Sequence, residues 1–251
     1  MTPIPLILYR LATRMLEPLA PRLLDARVRR GKEDEARVDE RLGIATVARP
    51  PGDLVWLHGA SVGETLSLLP LVERLSRERP DLRLLVTSGT VTSAAILHER
   101  LPAGVIHQFP PVDAPGAVDA FLQHWRPALG VFVESELWPN LLLRAQAAGV
   151  RLALVSARIT QKTADGWARF PRSAARVLDA FDAVLPQDRL EERVVRGVGE
   201  RRPVQRGVVG QRRERLHPHH VAVLGLRGRV HIDGRGDVAD VERSGPGPLL
   251  G

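Results

Sequence analysis

A repeated alternation of short apolar runs and amphipathic segments is the feature that most constrains the fold of this chain. From residue 53 to about residue 196, an apolar run, a polar turn and a helical stretch follow one another roughly every 25 residues. Strands that alternate with helices in this way form right-handed crossovers and a parallel sheet covered on both faces. The runs lack a clean polar alternation, which agrees with burial on both sides. The sequence therefore predicts an α/β fold with a Rossmann-like parallel sheet and helices on both faces. The predicted strands are 54–58, 82–87, 105–109, 128–133, 151–155 and 182–186, and the predicted helices are 65–79, 91–100, 114–125, 138–148 and 160–180.

The positive charge of the chain is concentrated at its C-terminal end. The net charge is +7, yet residues 1–200 contain 26 basic against 24 acidic residues, whereas residues 201–251 contain ten arginines against five acids. The predicted domain therefore carries no large basic excess, and we predict no nucleic-acid partner. The chain has no cysteine, which excludes disulfides, thiolate nucleophiles and cysteine metal sites.

Residues 1–50 precede the repeat and are predicted to form a helical arm. Apolar residues recur every three or four positions from 4 to 24, with arginines among them, and Pro18 and Pro21 should kink or end the helix. Such a stripe either lies on an anionic membrane surface or packs on the domain as an ordinary arm. The segment 27–41 mixes charges of both signs and is predicted to be a solvated helix or linker.

Residues 197–251 break the pattern, since arginine and glycine dominate and no helix or strand period persists. This composition is typical of a disordered segment or of a shifted reading frame in GC-rich DNA. His217, His219 and His220 have no ligand partner at suitable spacing, so we predict no metal site here. The repeat itself occupies residues 51–196, which we predict to be the single folded domain.

A serine and a glutamate stand in the first turn after an apolar run. Ser61 and Glu64 follow the predicted strand 54–58 at the start of a helix. Their spacing is that of a capping box, in which the two side chains satisfy free amide donors of the first turn. The same glutamate lies at the carboxyl edge of the predicted sheet, where ligands bind and where the helix dipole favours a negative charge. The residues alone leave both roles open, a helix cap and a general base.

Other polar residues also follow predicted strands and should gather at the same edge. Ser88, Gly89 and Thr90 could bind a phosphate through backbone amides, or form a plain helix cap. The segment 134–140 places Glu134, Glu136 and Trp138 before a helix, and aromatic faces beside acids are common in sugar-binding clefts. Arg158 follows the fifth strand and could hold an anionic group. These residues predict a pocket that can deprotonate a hydroxyl and bind an anion.

Five motifs, taken in order, resemble one family of enzymes. They are WLHGASVGET at 56–65, VTSGT at 86–90, FPPVD at 109–113, ESELWPN at 134–140 and SARIT at 156–160. Together they resemble the N-terminal half of 3-deoxy-D-manno-octulosonic acid (Kdo) transferases, over about residues 1–196.

The resemblance implies a GT-B glycosyltransferase made of two Rossmann-like domains, active in lipopolysaccharide biosynthesis. Its N-terminal domain receives the lipid A precursor, and its C-terminal domain holds the donor, CMP-Kdo. The reaction inverts the anomeric centre and uses no metal or dinucleotide cofactor. Carried over, Glu64 takes the proton from the acceptor hydroxyl, and Glu134 or Glu136 supports it. The implied substrate-binding residues are Ser61, Gly63, Ser88, Gly89, Thr90, Trp138 and Arg158.

The resemblance also bears on location and on the tail. Because the acceptor is a membrane lipid, it implies that residues 4–24 contact the cytoplasmic face of the inner membrane. A donor domain is expected beyond residue 196, where the arginine-rich tail stands instead. We therefore expect a Kdo transferase fragment that binds acceptor but does not transfer sugar alone. The alternative is a non-catalytic binding module that has kept the acceptor-side fold.

Overall fold

A computed structural model describes residues 2–133, 137–155 and 166–185 of the chain. Within them, six strands form one sheet in the order β3-β2-β1-β4-β5-β6, and every neighbouring pair is parallel. The predicted α/β, Rossmann-like fold is confirmed, and each predicted strand is found within two residues of its expected ends. The strands are β1 Leu54–Gly59, β2 Arg83–Ser88, β3 Ile106–Gln108, β4 Leu129–Val133, β5 Arg151–Val155 and β6 Ala183–Leu185.

Helices cover both faces of the sheet. The predicted helix at 160–180 is described only from residue 166 onward, and the predicted tail at 197–251 lies outside the described residues. The domain boundaries at 50 and 196 stay predictions. The helices are α1 Ile4–Leu16, α2 Ala20–Val28, α3 Val62–Glu78, α4 Val91–Arg100, α5 Pro115–Trp125, α6 Pro139–Ala147 and α7 Pro171–Leu178, with 3-10 turns at Glu17–Leu19 and Glu35–Leu42.

The central strand β1 divides its side chains between two apolar cores. Leu54 and Trp56 face α5, α6 and α7, while Val55 and Leu57 face α3 and α4. Every residue of β1 is buried, as the mostly apolar sequence of the strand requires. His58 is the next residue on the Trp56 side of the strand, so a polar group stands where this core meets the carboxyl edge of the sheet.

The strand order creates a crevice beside β1. The chain lays β2 and β3 on one side of β1, then crosses over and continues with β4 on the other side. The connections that leave β1 and β4 therefore run in opposite directions, and ligands of open α/β sheets bind at such a switch point. Glu64 follows β1 in the chain, so the topology places this predicted acid at the switch point, whereas Glu134 lies outside the described residues.

The N-terminal arm, residues 4–28, packs against the domain and is interrupted where its prolines predict. The 3-10 turn Glu17–Leu19 contains Pro18 and separates α1 from α2. Leu6, Ala20 and Leu24 are buried, whereas several large apolar side chains of the arm, among them Leu8 and Met15, are exposed. Among the described residues, no helix is both long and apolar enough to cross a bilayer.

The prediction that 27–41 is a solvated segment is wrong for three of its charged residues. Glu33, Glu40 and Arg41 are buried, because each charge is paired with an opposite one. Glu40 accepts hydrogen bonds from Arg37 and from the Phe109 amide at 2.7 Å. Buried charges are stable when they are both paired and hydrogen-bonded, which the sequence pattern does not show.

Candidate functional site

A cleft of about 590 Å³ lies between the N-terminal arm and the carboxyl edge of the sheet. The arm contributes mainly apolar groups, including Leu16 and Leu23, and the sheet edge contributes His58, Gly89 and Trp138. Of the predicted site residues, Gly89 and Trp138 therefore line the cleft. Clefts that combine an apolar wall with a few fixed polar groups are the usual form of a small-molecule site.

Asp113 joins the arm to the first turn of α6. Its carboxylate accepts hydrogen bonds from the Tyr9 hydroxyl at 2.9 Å and from the backbone amides of Asn140 and Leu141 at 3.1 and 2.7 Å. Burial raises the pKa of Asp113, and the hydrogen bonds from Leu141, Tyr9 and Asn140 oppose that shift. Burial and the neighbouring Asp113 carboxylate raise the pKa of Tyr9 as well. One wall of the cleft is thus fixed by a carboxylate that serves as a helix cap.

A carboxylate of the arm itself caps α5 in the same way. The Glu17 side chain accepts a hydrogen bond from the Ala117 amide at 2.8 Å. A side chain at Gly116 would stand 2.4 Å from a Glu17 oxygen, so the glycine leaves room for this contact. The arm is therefore attached to the N termini of two helices, where negative charge is favourable.

The other end of the cleft is organised by Arg41. Its Nε donates to Glu33 Oε2 at 2.9 Å, and its Nη2 donates to the Gly89 carbonyl at 2.6 Å. Its guanidinium carbon lies 4.7 Å from the centre of the Phe109 ring, and Nη1 reaches the Pro110 carbonyl at 3.3 Å. One buried side chain therefore links the turns after β2 and β3, as the planar fork of arginine allows.

The turns after β1 and β2 touch each other. A Cβ at Gly89 would stand only 2.4 Å from the Ala60 carbonyl oxygen. Real side chains are never that close to backbone, so this position requires glycine. Because both Ala60 and Gly89 line the cleft, their close approach sets the shape of its floor.

Glu64 belongs to the hydrogen-bonded turn that begins α3, whose N-cap is Ser61. Its carboxylate accepts hydrogen bonds from the Ala60 amide at 2.8 Å and from the Ser61 hydroxyl at 2.9 Å, and its own amide donates to Ser61 Oγ at 3.2 Å. Ser61 therefore caps the helix as the sequence predicts, but the Glu64 carboxylate binds the amide of Ala60 and not that of Ser61, so the reciprocal bond of a capping box is replaced by one to the preceding residue. Each carboxylate oxygen keeps a second lone pair, so the cap does not exhaust the accepting capacity of Glu64. Ala60 lines the cleft, which places Glu64 one hydrogen bond away from it. The role of general base stays a prediction.

Two other candidates are engaged inside the domain. Ser88 is fully buried, and its hydroxyl lies 2.9 Å from His107 Nε2. Thr90 forms a capping box with Ser93, whose amide donates to Thr90 Oγ1 at 3.0 Å. Neither lines the cleft, and their substrate-binding roles stay predictions, as do those of the exposed Ser61 and Gly63. Three further candidates, Glu134, Glu136 and Arg158, lie outside the described residues.

Sequence reasoning did not select His58, although it stands in the most informative motif. It is only 2% exposed, and its Nδ1 lies 2.8 Å from Thr87 Oγ1, which also accepts a bond of 2.8 Å from Trp56 Nε1. Burial, and then the charge of Arg41, lower the pKa of His58 to about 4. The available signal was its position as the one polar residue in the run 54–58.

Because two buried histidines have lowered pKa values, we expect the domain to lose stability in mild acid. Burial lowers the pKa of His107 to about 3, with Arg37 and Arg41 contributing, and that of His58 to about 4. The unfolded chain binds these protons near pH 6.5, so between about pH 6 and 4 it holds more protons than the folded chain. We expect the free energy of unfolding to fall with decreasing pH by up to ~1.4 kcal/mol per unit for each histidine.

Chemical denaturation at several pH values measures this slope. His107→Gln removes one titrating group and should lower the slope by about one proton. Ser88→Ala is the matched control, because it removes one hydrogen-bond partner of the His107 ring but leaves the titrating imidazole in place. An unchanged slope in His107→Gln would contradict the expectation.

Comparison with known proteins gives one consistent family. Residues 36–210 match the family described as 3-Deoxy-D-manno-octulosonic-acid transferase (kdotransferase). The chain is 39% identical over 160 residues to the probable mitochondrial 3-deoxy-D-manno-octulosonic acid transferase of Arabidopsis thaliana, covering 64% of this chain and 36% of that protein. It is 38% identical over 180 residues to the 3-deoxy-D-manno-octulosonic acid transferase of Rickettsia bellii, covering 72% and 43%.

A third relative agrees with these two. The 3-deoxy-D-manno-octulosonic acid transferase of Bordetella pertussis is 37% identical over 190 residues, which cover 71% of this chain and 43% of that protein. The chain therefore spans less than half the length of these relatives. The family match covers more than half of this chain and includes β1 to β6, the turn that carries Glu64 and the floor of the cleft. The chain thus belongs to the 3-deoxy-D-manno-octulosonic-acid transferase family of glycosyltransferases.

Proposed function

We propose that this domain binds the acceptor in the transfer of Kdo from CMP-Kdo to a lipid A precursor, in lipopolysaccharide biosynthesis. The observation that carries the proposal is the position of Glu64, fixed at the carboxyl end of the central strand, next to the cleft. A base at this point can take a proton from a sugar hydroxyl while its helix cap keeps it in place. A donor-binding domain has to supply CMP-Kdo for transfer, with inversion at the anomeric carbon.

The composition of the cleft supports an amphipathic acceptor. Its floor holds polar groups such as His58 and Arg41, whereas its arm side holds Leu16 and Leu23. Both leucines are more than half exposed while they line the cleft. A glycolipid presents the same order of groups, with a polar sugar at one end and acyl chains at the other. The cleft can therefore receive the sugar while the chains remain near the arm.

The exposed face of the arm supports a contact with the cytoplasmic face of the inner membrane. Leu8 is 60% exposed and Met15 is 81% exposed, although both are apolar. Arg10, Arg14 and Arg22 lie in the same arm and can approach anionic headgroups. Apolar surface together with basic side chains is the pattern of a helix that lies in a membrane interface.

We expect a double substitution, Leu8→Glu and Met15→Glu, to release the protein from vesicles of anionic phospholipid. Two carboxylates on the exposed face oppose both insertion and electrostatic attraction. The substituted sites are solvent-exposed, so the fold should persist, whereas deletion of 4–24 would remove the buried Leu6 and Leu24. The variant should still bind the soluble bisphosphorylated glucosamine disaccharide of the lipid A precursor.

Vesicle sedimentation and calorimetry separate the two parts of the proposal. The matched control is the double substitution Ile44→Glu with Val47→Glu, at two exposed apolar sites that lie outside residues 4–28. Equal vesicle binding by wild type and the Leu8 and Met15 variant would reject the membrane contact. Failure of the wild-type protein to bind the disaccharide would reject the acceptor assignment.

One observation favours a non-catalytic binding module as the second candidate. Both carboxylate oxygens of Glu64 already accept hydrogen bonds, one from the Ala60 amide and one from the Ser61 hydroxyl. If that is the whole role of Glu64, the domain binds its ligand without taking a proton from it. The substitution of Glu64 by glutamine decides between the two functions.

A further inference from the structure

The floor of the cleft contains a buried nitrogen without a partner. His58 lines the cleft, and among the described residues its Nε2 makes no hydrogen bond although it is shielded from solvent. Buried polar groups nearly always have a partner, because an unpaired one costs the full free energy of its desolvation. An unpaired ring nitrogen at a cleft therefore suggests that a ligand completes its hydrogen bonding.

The neighbours of His58 determine which ring nitrogen carries the hydrogen. Thr87 Oγ1 is fully buried and has two partners, Trp56 Nε1 and His58 Nδ1, both at 2.8 Å. The indole nitrogen can only donate, so among the described residues Nδ1 is the one acceptor within reach of the threonine hydroxyl hydrogen. Nδ1 therefore accepts, and the neutral ring carries its hydrogen on Nε2.

The ring is also held rigidly. Its centre lies 5.3 Å from the Phe132 ring and 6.2 Å from the Trp56 ring. Both neighbours are fully buried. A donor that is already desolvated and fixed in direction loses little entropy when it binds an acceptor atom.

The charges around the cleft indicate the kind of atom that His58 binds. Two arginines, Arg27 and Arg41, line the cleft together with three carboxyl groups, Glu17, Glu33 and Asp113. Glu33 pairs with both arginines, at 2.8 and 2.9 Å. In the part of the chain that the structure describes, the cleft has no excess of positive charge to attract an anion, and a neutral imidazole adds none. The site suits an uncharged oxygen better than a phosphate.

We propose that His58 is a substrate-binding residue whose Nε2–H donates a hydrogen bond to an uncharged oxygen of the carbohydrate headgroup in the cleft. This inference rests on the proposed function, since it takes the acceptor to be a glycolipid. It assigns the β1 histidine to holding the sugar, while Glu64, six residues further along the chain, acts on the hydroxyl.

Imidazole nitrogen NMR of the wild-type chain tests the first step without any substitution. In the free protein, His58 should show a protonated Nε2 and an unprotonated Nδ1. Addition of the unphosphorylated glucosamine disaccharide should shift the Nε2 resonance. A ring protonated on Nδ1, or a His58 resonance that does not respond to bound disaccharide, would overturn the inference.

A pair of variants tests the second step. Both His58→Gln and His58→Phe lose the Nδ1 acceptor for Thr87, but only glutamine retains a nitrogen donor near the position of Nε2. We expect His58→Phe to weaken binding of the disaccharide about tenfold, the net effect of one hydrogen bond, and His58→Gln to weaken it only about twofold. The phosphorylated disaccharide should give the same ratios.

The outcomes separate this inference from the function on which it rests. Equal affinities of His58→Phe, His58→Gln and wild type would overturn the role of His58 and leave the acceptor assignment intact. A loss confined to the phosphorylated disaccharide would overturn the uncharged oxygen in favour of a phosphate. No binding of either disaccharide by the wild-type chain would overturn both proposals.

Discussion

In a version of the chain joined to a donor-binding domain, we expect Glu64→Gln to lower the rate of Kdo transfer by about 10²–10⁴-fold, the usual contribution of a general base. Glutamine is nearly the same shape and can still accept a hydrogen bond from the Ala60 amide or the Ser61 hydroxyl. The fold and the affinity for acceptor should therefore stay close to those of the wild type. Transfer from CMP-Kdo to the lipid A precursor, measured with saturating acceptor, isolates the chemical step.

The matched control for this experiment is Glu73→Gln. Glu73 is an exposed carboxylate of the same helix, α3, and it lies outside the cleft lining. Its substitution should leave the rate of transfer unchanged. Transfer by Glu64→Gln at the wild-type rate would limit Glu64 to its observed capping role. The non-catalytic reading would then be the better account of this domain.

The sheet and its helices could be predicted from the sequence because their signals are local. The run 151–155 became a strand with those bounds, and the segment 91–100 became a helix with those bounds. The Ser61 cap was equally predictable, since an N-cap serine and the backbone amide that it binds are only three positions apart. Each of these patterns lies within one short, continuous segment of the chain.

The cleft could not be predicted, because its walls come from distant parts of the chain. Tyr9 and Asp113 are 104 residues apart in sequence, and their hydrogen bond helps to hold the arm over the sheet edge. The His58 ring has one unpaired nitrogen, Nε2, because Thr87 in the neighbouring strand β2 binds only Nδ1. The charges in segment 27–41 suggested solvent exposure for the same reason. The sequence gives the charge of Arg41 but does not show that its partners are buried with it.

We expect Arg41→Ala to destabilise the domain by about 3–5 kcal/mol, the typical cost of breaking a buried ion pair. The substitution leaves the Gly89 and Pro110 carbonyls without their donor and removes the guanidinium from the Phe109 ring. Within the described ranges of the chain, Glu33 would keep only its bond to Arg27. Urea denaturation of the wild type and the variant measures the difference in free energy of unfolding.

Arg27→Ala is the control that separates burial from pairing. Arg27 binds the same Glu33 carboxylate at 2.8 Å, but its side chain is 47% exposed, against 9% for Arg41. An exposed ion pair contributes about 0–1 kcal/mol, so this variant should lose no more than that. The two substitutions remove the same charge from the same partner, and they differ in solvent access and in the carbonyl and ring contacts of Arg41.

A double substitution tests whether the loss comes from an uncompensated charge or from the missing links between turns. In Glu33→Leu with Arg41→Met, both charges of the buried Glu33–Arg41 pair are removed together, and apolar side chains of similar length fill the space. If the buried charge dominates, this variant should recover most of the stability that Arg41→Ala loses. If the links to Gly89 and Pro110 dominate, the double variant stays as unstable as Arg41→Ala, because methionine donates no hydrogen bond to either carbonyl. A loss below about 1 kcal/mol in Arg41→Ala itself would contradict the role of Arg41 in organising the cleft.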